Sequence, residues 1–198
     1  MRNPPFYTGT AVRFRFMQQD LSKILLHTST IFARLDEIAA TITADYEGRE
    51  LTVLCLMSGS LMFGADLLRR IPLPLRIICL SVSSYHGGTS STGQVTFQAT
   101  MPDLEGRHVL IIDDILDTGL TLSSIKTKIL NEAKTLSTKI CVLLRKDIGV
   151  ERPIDADYIG FDIANEFVVG YGLDFQEKYR NLPFIGVLRA DVAALAGV

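Results

Sequence analysis

The chain contains no tryptophan, three cysteines and three histidines. Cys55, Cys79 and Cys141 cannot all pair, and each lies inside an apolar run where a thiol packs as a small hydrophobe. A disulfide-stapled scaffold is therefore excluded, and a reducing cytoplasm is the expected compartment. His27, His86 and His108 lack metal-ligand spacing, which excludes a histidine-based zinc centre. Basic surplus is missing as well: 20 Lys and Arg stand against 22 Asp and Glu, for a formal charge of −2. Nucleic-acid binders ordinarily carry a basic excess that matches phosphate charge, so no nucleic-acid partner is expected. A membrane span takes ~20 mostly apolar residues, and the nearest approach, Leu51 to Leu68, is broken by Ser58-Gly59-Ser60, Gly64 and Asp66, so no membrane association is expected. Pro4 and Pro5 stand where a signal peptide would begin its apolar run, which argues against export. A glycine-rich Walker loop with its lysine is also absent, and P-loop nucleotide-triphosphate chemistry goes with it.

What remains is an ordinary folded composition. With 198 residues, 47% hydrophobic and 21% charged, the chain suits one domain able to bury a sizeable core. Ile31, Leu35, Ile38, Ala39, Ile42 and Tyr46 form one stripe at steps of three and four, with Ser29 or Thr30 available as N-cap and Gly48 as terminator, and predict an amphipathic helix. Leu51–Met57, Leu75–Val82, Val109–Ile112 and Ile140–Leu144 are short continuous apolar runs, as expected of strands buried on both faces. Helical stretches over 61–70 and 120–133 alternate with them. This alternation predicts an α/β fold, a Rossmann-like parallel sheet flanked by helices. The polar, glycine-rich stretch Ser83–Gly93 reads either as a functional lid or as a solvated hairpin, because Val95, Phe97 and Ala99 alternate after it like a strand.

Chemistry concentrates in Val109–Thr121. Asp113 and Asp114 fall where a buried strand ends, the place where open parallel sheets bind ligands. Asp117, Thr118, Gly119, Leu120 and Thr121 follow at the mouth of a helix, where free N–H groups and the helix dipole receive anions. Carboxylates beside an anion cradle make sense together when a divalent cation or a ribose bridges them. Taken singly, the aspartates also read as solvated carboxylates, and Asp117 or Thr118 as a helix cap. Lys146 alone reads equally as a solvated loop charge.

The segment Ile111-Ile112-Asp113-Asp114-Ile115-Leu116-Asp117-Thr118-Gly119-Leu120-Thr121 resembles the phosphoribosyl diphosphate (PRPP) binding motif of type I phosphoribosyltransferases. Glu166 to Asp174, followed by Tyr179-Arg180-Asn181-Leu182-Pro183, resembles the C-terminal signature of the hypoxanthine(-guanine) members, and the likeness runs in order from about Leu51 to Leu188. The resemblance implies purine salvage: displacement of diphosphate from PRPP by a 6-oxopurine to give IMP or GMP, with Mg2+ as cofactor. It implies that Asp113 and Asp114 hold the ribose hydroxyls and their magnesium, and that Asp174 belongs to the purine-binding set and is a ligand, partly through water, of a second magnesium near the diphosphate. Asp117 becomes the general base for the purine N7 proton. Thr118, Gly119, Leu120 and Thr121 hold the 5′-phosphate, Ser58 and Gly59 belong to a diphosphate loop with a cis peptide bond, and Arg180 contacts diphosphate. Lys146 donates to the purine O6, which an amino group at that position could not accept. Phe167 stacks on the base, Val168 meets its edge through the backbone, and Ser84 and Tyr85 lie on a mobile closing loop.

Three positions depart from the commoner pattern. Asp113 stands where Glu is frequent, Leu120 replaces a lysine of some members, and Ser58 stands where others have lysine or arginine. The resemblance further implies a single phosphoribosyltransferase domain over 1–198 with a small hood from about 1–25 and 165–198, and a homo-oligomer, dimer or tetramer. The same fold also serves as an RNA-binding regulator, for which the charge of −2 supplies no basic face, and a xanthine-preferring enzyme is a further alternative. A receiver domain, with its acidic pair and later lysine, does not account for Asp117-Thr118-Gly119.

Overall fold

The apolar runs pair with one another as neighbouring strands. In the computed structural model, which describes residues 17–84, 95–97 and 101–194, the elements in chain order are β1 (Leu21–Leu26), α1 (Thr28–Asp45), β2 (Leu51–Met57), α2 (Leu61–Leu68), β3 (Leu75–Ser84), β4 (Val95–Phe97), β5 (His108–Leu116), α3 (Leu120–Glu132), β6 (Ser137–Lys146), β7 (Tyr158–Ile163), β8 (Val168–Val169), β9 (Ile185–Leu188) and α4 (Ala190–Ala194). Two compact units result, one over Phe32–Asn165 and the other from described residues up to Ile31 and from Glu166 onward.

The larger unit holds a six-stranded sheet in the order β4-β3-β2-β5-β6-β7, in which β3, β2, β5, β6 and β7 run parallel and β4 is an antiparallel edge. The centre is apolar on both faces: Val53, Leu54, Leu110, Ile111, Cys141 and Val142 are all buried. Helix α3 turns Leu122, Ile125 and Ile129 into this core beside Leu54, Ile111 and Val142. Burying one such Leu or Ile contributes roughly 1.5–3 kcal/mol, so a short helix is held by its stripe rather than by intrinsic propensity. Helix α1 buries Leu35, Ile38, Ala39 and Ile42, the predicted stripe, and Gly48 just past its end has φ +71°, a left-handed value that glycine adopts freely.

Chain order and spatial order differ at one place that matters. From β2 the chain crosses to β3 on one side, then returns to β5 on the other side of β2. The order of strands thus reverses between β2 and β5, leaving a crevice at their carboxyl ends, where ligands of open parallel sheets bind.

Several element boundaries lie elsewhere than the apolar runs predict. Strand β3 continues through Ser84, which pairs with Val95 of β4, so Ser83 and Ser84 belong to a strand, and the rest of the stretch to Gly93 lies outside the described residues. Strand β5 continues to Leu116, so Asp113 and Asp114 lie within its last turns of pleat rather than beyond it, because the ladder is made by backbone groups and tolerates charged side chains at its open end. Strand β7 has no continuous apolar run to predict it. Its sequence, Tyr-Ile-Gly-Phe-Asp-Ile, mixes burial and exposure as an edge strand does, and Arg34 of α1 donates to the carbonyls of Ile159 and Gly160, both at 2.9 Å.

In the smaller unit β1, β9 and β8 form an antiparallel three-stranded sheet. Its core comprises Val169, Phe175, Tyr179, Leu182, Phe184 and Leu188. Tyr179 donates its hydroxyl to Asp20 at 2.8 Å, tying the two sequence ends of this unit together. Among the described residues no helix is long and apolar enough to cross a membrane.

Candidate active site

Residues at the carboxyl ends of β2, β5 and β6 assemble the candidate site in the larger unit. The peptide bond Met57–Ser58, directly after β2, is cis, as the resemblance implied. Ser58 is exposed and Gly59 half-buried. Gly59 has no room for a side chain: a Cβ built on it would lie 1.9 Å from Asp114 Oδ2. Glycine at this position lets the Asp114 carboxylate lie directly against the backbone of the loop that follows β2. The acidic pair and the Ser58-Gly59 loop are therefore one structure, reached from two strands on either side of the switch point.

Asp113 Oδ1 accepts the backbone N–H of Asp114 at 3.1 Å. Burial, and then the adjacent Asp114 charge, hold the Asp113 carboxyl well above the usual carboxylate range. The pair is consequently a place where added positive charge is favourable. Among the described residues no three His, Cys, Asp or Glu side chains converge into a ready metal cage.

Gly119 precedes α3 in a left-handed conformation, φ +78°, and the helix has no side-chain capping bond. Gly119 holds the N-cap position in place of Asp117 or Thr118, while Thr118 Oγ1 accepts the Leu120 N–H at 3.5 Å. The start of α3 thereby faces the turn that holds Thr118. Thr118 and Leu120 are exposed, and Thr121 is half-buried. Anions are stabilised at such a helix start by its free donors and its dipole.

Lys146 ends β6, and its side chain is 12% exposed, so it is no solvated loop charge. Its Nζ donates to Asp117 Oδ2 at 3.1 Å. One residue that no motif singles out joins them: Arg152 donates from Nε to the Asp117 carbonyl at 2.5 Å and from Nη2 to the Lys146 carbonyl.

The remaining candidates belong to the smaller unit. Phe167 is partly exposed and meets Phe175 edge-on, ring centroids 5.5 Å apart. Val168 opens β8 and pairs with Val187. Asp174 Oδ1 pairs with Arg180 Nη2 at 2.8 Å, and Asp174 Oδ2 accepts the N–H of Glu177 at 2.9 Å. Arg180 Nη1 also donates to the Gly172 carbonyl at 2.8 Å. The segment that carries them is folded tightly: Gly170, Tyr171, Gly172, Gln176, Glu177 and Tyr179 all have positive φ, and a Cβ at Gly170 would meet the Phe184 carbonyl at 2.1 Å. Ser84 is the last residue of β3, and Tyr85 lies outside the described residues.

Comparison with known proteins agrees with this architecture. Residues 22–176 match the phosphoribosyl transferase domain family. The chain is 48% identical over 177 residues to a hypoxanthine-guanine phosphoribosyltransferase of Staphylococcus epidermidis, which covers 89% of this chain and 98% of the relative. The corresponding protein of Staphylococcus aureus is 46% identical over the same shares. A crystal structure of a hypoxanthine phosphoribosyltransferase from Staphylococcus aureus matches with a TM-score of 0.84 at 46% identity, covering 89% of this chain and 96% of that one. A hypoxanthine phosphoribosyltransferase from Trypanosoma cruzi, in a ternary substrates complex, matches with a TM-score of 0.82 at 39% identity over 88% and 99% of the two chains. With one family spanning residues 22–176 and relatives aligned over nearly their whole lengths, the chain belongs to the phosphoribosyltransferases.

Proposed function

We propose that this chain transfers the 5-phosphoribosyl group of PRPP to hypoxanthine and to guanine, giving IMP or GMP and diphosphate in purine salvage. The observation that carries the reading is the pairing of Lys146 with Asp117 at the strand ends, next to the anion-receiving start of α3. A base with a carbonyl acceptor and a ring N–H donor suits that pair. The Lys146 ammonium has three donors, so it can hold Asp117 and donate to the purine O6 together, whereas the amino group of adenine offers it no acceptor.

As the ring nitrogen bonds to ribose C1′ and the C1′–O bond to diphosphate breaks, the N7 proton passes to the Asp117 carboxylate. The same carboxylate stabilises positive charge that develops on the ring. Thr118, Gly119, Leu120 and Thr121 receive the 5′-phosphate chiefly through backbone N–H groups, so the leucine at position 120 leaves the cradle intact. Ser58 and Gly59 take the diphosphate. We read the smaller unit as the hood, where Phe167 stacks on the base, Val168 meets its edge, and Arg180 contacts diphosphate.

Mg2+ fits the donor set. Asp113 and Asp114 offer adjacent carboxylate oxygens at the end of β5, and an ion that keeps waters and substrate oxygens needs no all-protein cage. Asp113 and Asp114 would hold one such ion and Asp174 a second, and bound ions would neutralise charge on the leaving diphosphate. Ser84 and Tyr85 belong, in this reading, to a loop that closes over the reaction. A cytoplasmic homo-oligomer completes the proposal, and a sizing measurement at assay concentration tests the oligomer.

The test is direct: incubate the protein with PRPP, Mg2+ and each purine base, and separate the nucleotides. IMP and GMP are expected, with no AMP and no product in excess EDTA. Absence of nucleotide from both hypoxanthine and guanine overturns the proposal.

A further inference from the structure

We propose that Arg152 is a positioning residue for phosphoribosyl transfer, a forked clamp that fixes the backbones of Asp117 and Lys146 to one another. The inference rests on the roles proposed above for those two residues.

The β5–β6 ladder pairs His108 with Ser137 and continues in register to Leu116 with Arg145. One step further along both strands stand Asp117 and Lys146, and the register ends before them. At that missing rung Arg152 enters from the loop after β6, its Nε donating to the Asp117 carbonyl and its Nη2 to the Lys146 carbonyl. One planar guanidinium thus replaces a rung of the ladder, at the two residues whose side chains meet at 3.1 Å.

The loop is itself well anchored. Asp147 donates its N–H to the Ile163 carbonyl at 2.7 Å, and Asp157 donates to Ile140 at 2.9 Å. Arg145 pairs with Asp155 at 2.8 Å. The same loop also presses on the anion turn, since a Cβ at Gly119 would lie 3.1 Å from Ile154 Cγ2. Arg152 therefore acts from a fixed base, and its fork sets the relative position of the proton acceptor and the O6 donor. Lysine does not reproduce this geometry, because an ammonium lacks the rigid fork that spans two carbonyls.

Three measurements on the full chain test the clamp. R152Q and R152K are expected to lower kcat with hypoxanthine by about 100-fold, as a misplacement near 1 Å does, while PRPP affinity stays within about threefold because the amide cradle of α3 is untouched. Thermal melting shows whether each variant is folded, and R152K supplies the reading if R152Q does not fold. In a double-mutant cycle, R152Q combined with K146Q is expected to cost less than the sum of the two single losses, since Arg152 acts on the pair that the lysine completes. A purely structural role predicts additive losses and a parallel loss of PRPP binding. Unchanged turnover in folded variants, or additive losses in the cycle, overturns the clamp. A wild-type protein without phosphoribosyl transfer to hypoxanthine or guanine overturns instead the reading on which it rests.

Discussion

Adding a single methyl group at Gly59 separates the site's chemistry from its stability. In Gly59→Ala the new Cβ would lie 1.9 Å from Asp114 Oδ2, 2.5 Å from Cγ and 3.0 Å from Oδ1, where ordinary contact begins at 3.4 Å. The carboxylate must therefore retreat by about 1.5 Å, and displacements of about 1 Å in positioning groups cost on the order of 100-fold in rate. A loss of at least about 100-fold in kcat/KM for PRPP follows, equivalent to about 2.7 kcal/mol of transition-state stabilisation. Gly59 is not among the residues with positive φ, so alanine meets no backbone strain there and the melting temperature is expected to move by only a few degrees. Gly64→Ala is the matched control: its Cβ would lie 3.3 Å from Cys55 Sγ, a contact relieved by a tenth of an ångström, inside helix α2. Initial rates of IMP formation against PRPP, with melting curves for both variants, decide the matter. Kinetics within threefold of wild type for Gly59→Ala, or an equal loss in Gly64→Ala, would refute the assignment of Asp114 to the PRPP site.

Asp117→Asn retains PRPP binding but loses roughly 10²–10⁴-fold in turnover, the usual contribution of a positioned general base; undiminished turnover refutes that role. Asp113→Asn has a pH signature in the ligand-free protein. The folded protein holds the Asp113 proton to higher pH than the unfolded chain, whose value is 3.8, so the residue's contribution to stability falls as pH rises above about 4. The variant therefore gains in melting temperature relative to wild type as pH rises above about 4, and a gap that does not widen with pH refutes the burial and charge account. Ile125→Ala, at a fully buried position of α3, costs about 2–5 kcal/mol, read as about 2–4 °C of melting temperature for each kcal/mol.

What could be read in the chain and what could not divides along a physical line. Leu51–Met57 and Ile140–Leu144 announce themselves because strands covered on both faces are apolar without interruption, and β2 and β6 form there. The edge strand β7 carries Gly160 and Asp162 inside it. Its glycine is fixed by a contact invisible in sequence, since a Cβ there would meet the Leu143 carbonyl at 2.3 Å. Strand β1 is similarly obscured, because none of Leu21–Leu26 is fully buried and its pairing partner, β9, lies more than 150 residues away. The chemical centre follows the same logic. Asp113 to Thr121 is contiguous, so the order strand, acidic pair, turn and helix survives in the letters of the sequence. The contacts that bring separate segments together do not: Gly59 against Asp114, Lys146 on Asp117, and Arg152 across two carbonyls join residues 29 to 55 positions apart, apart from the six-residue step between Arg152 and Lys146. A motif therefore names the candidate groups, whereas the distances between them are set by strand order, by register, and by an arginine whose partners are backbone atoms. That arginine is expected to be silent in any reading by residue type, since a backbone carbonyl accepts the same bond whatever side chain it carries.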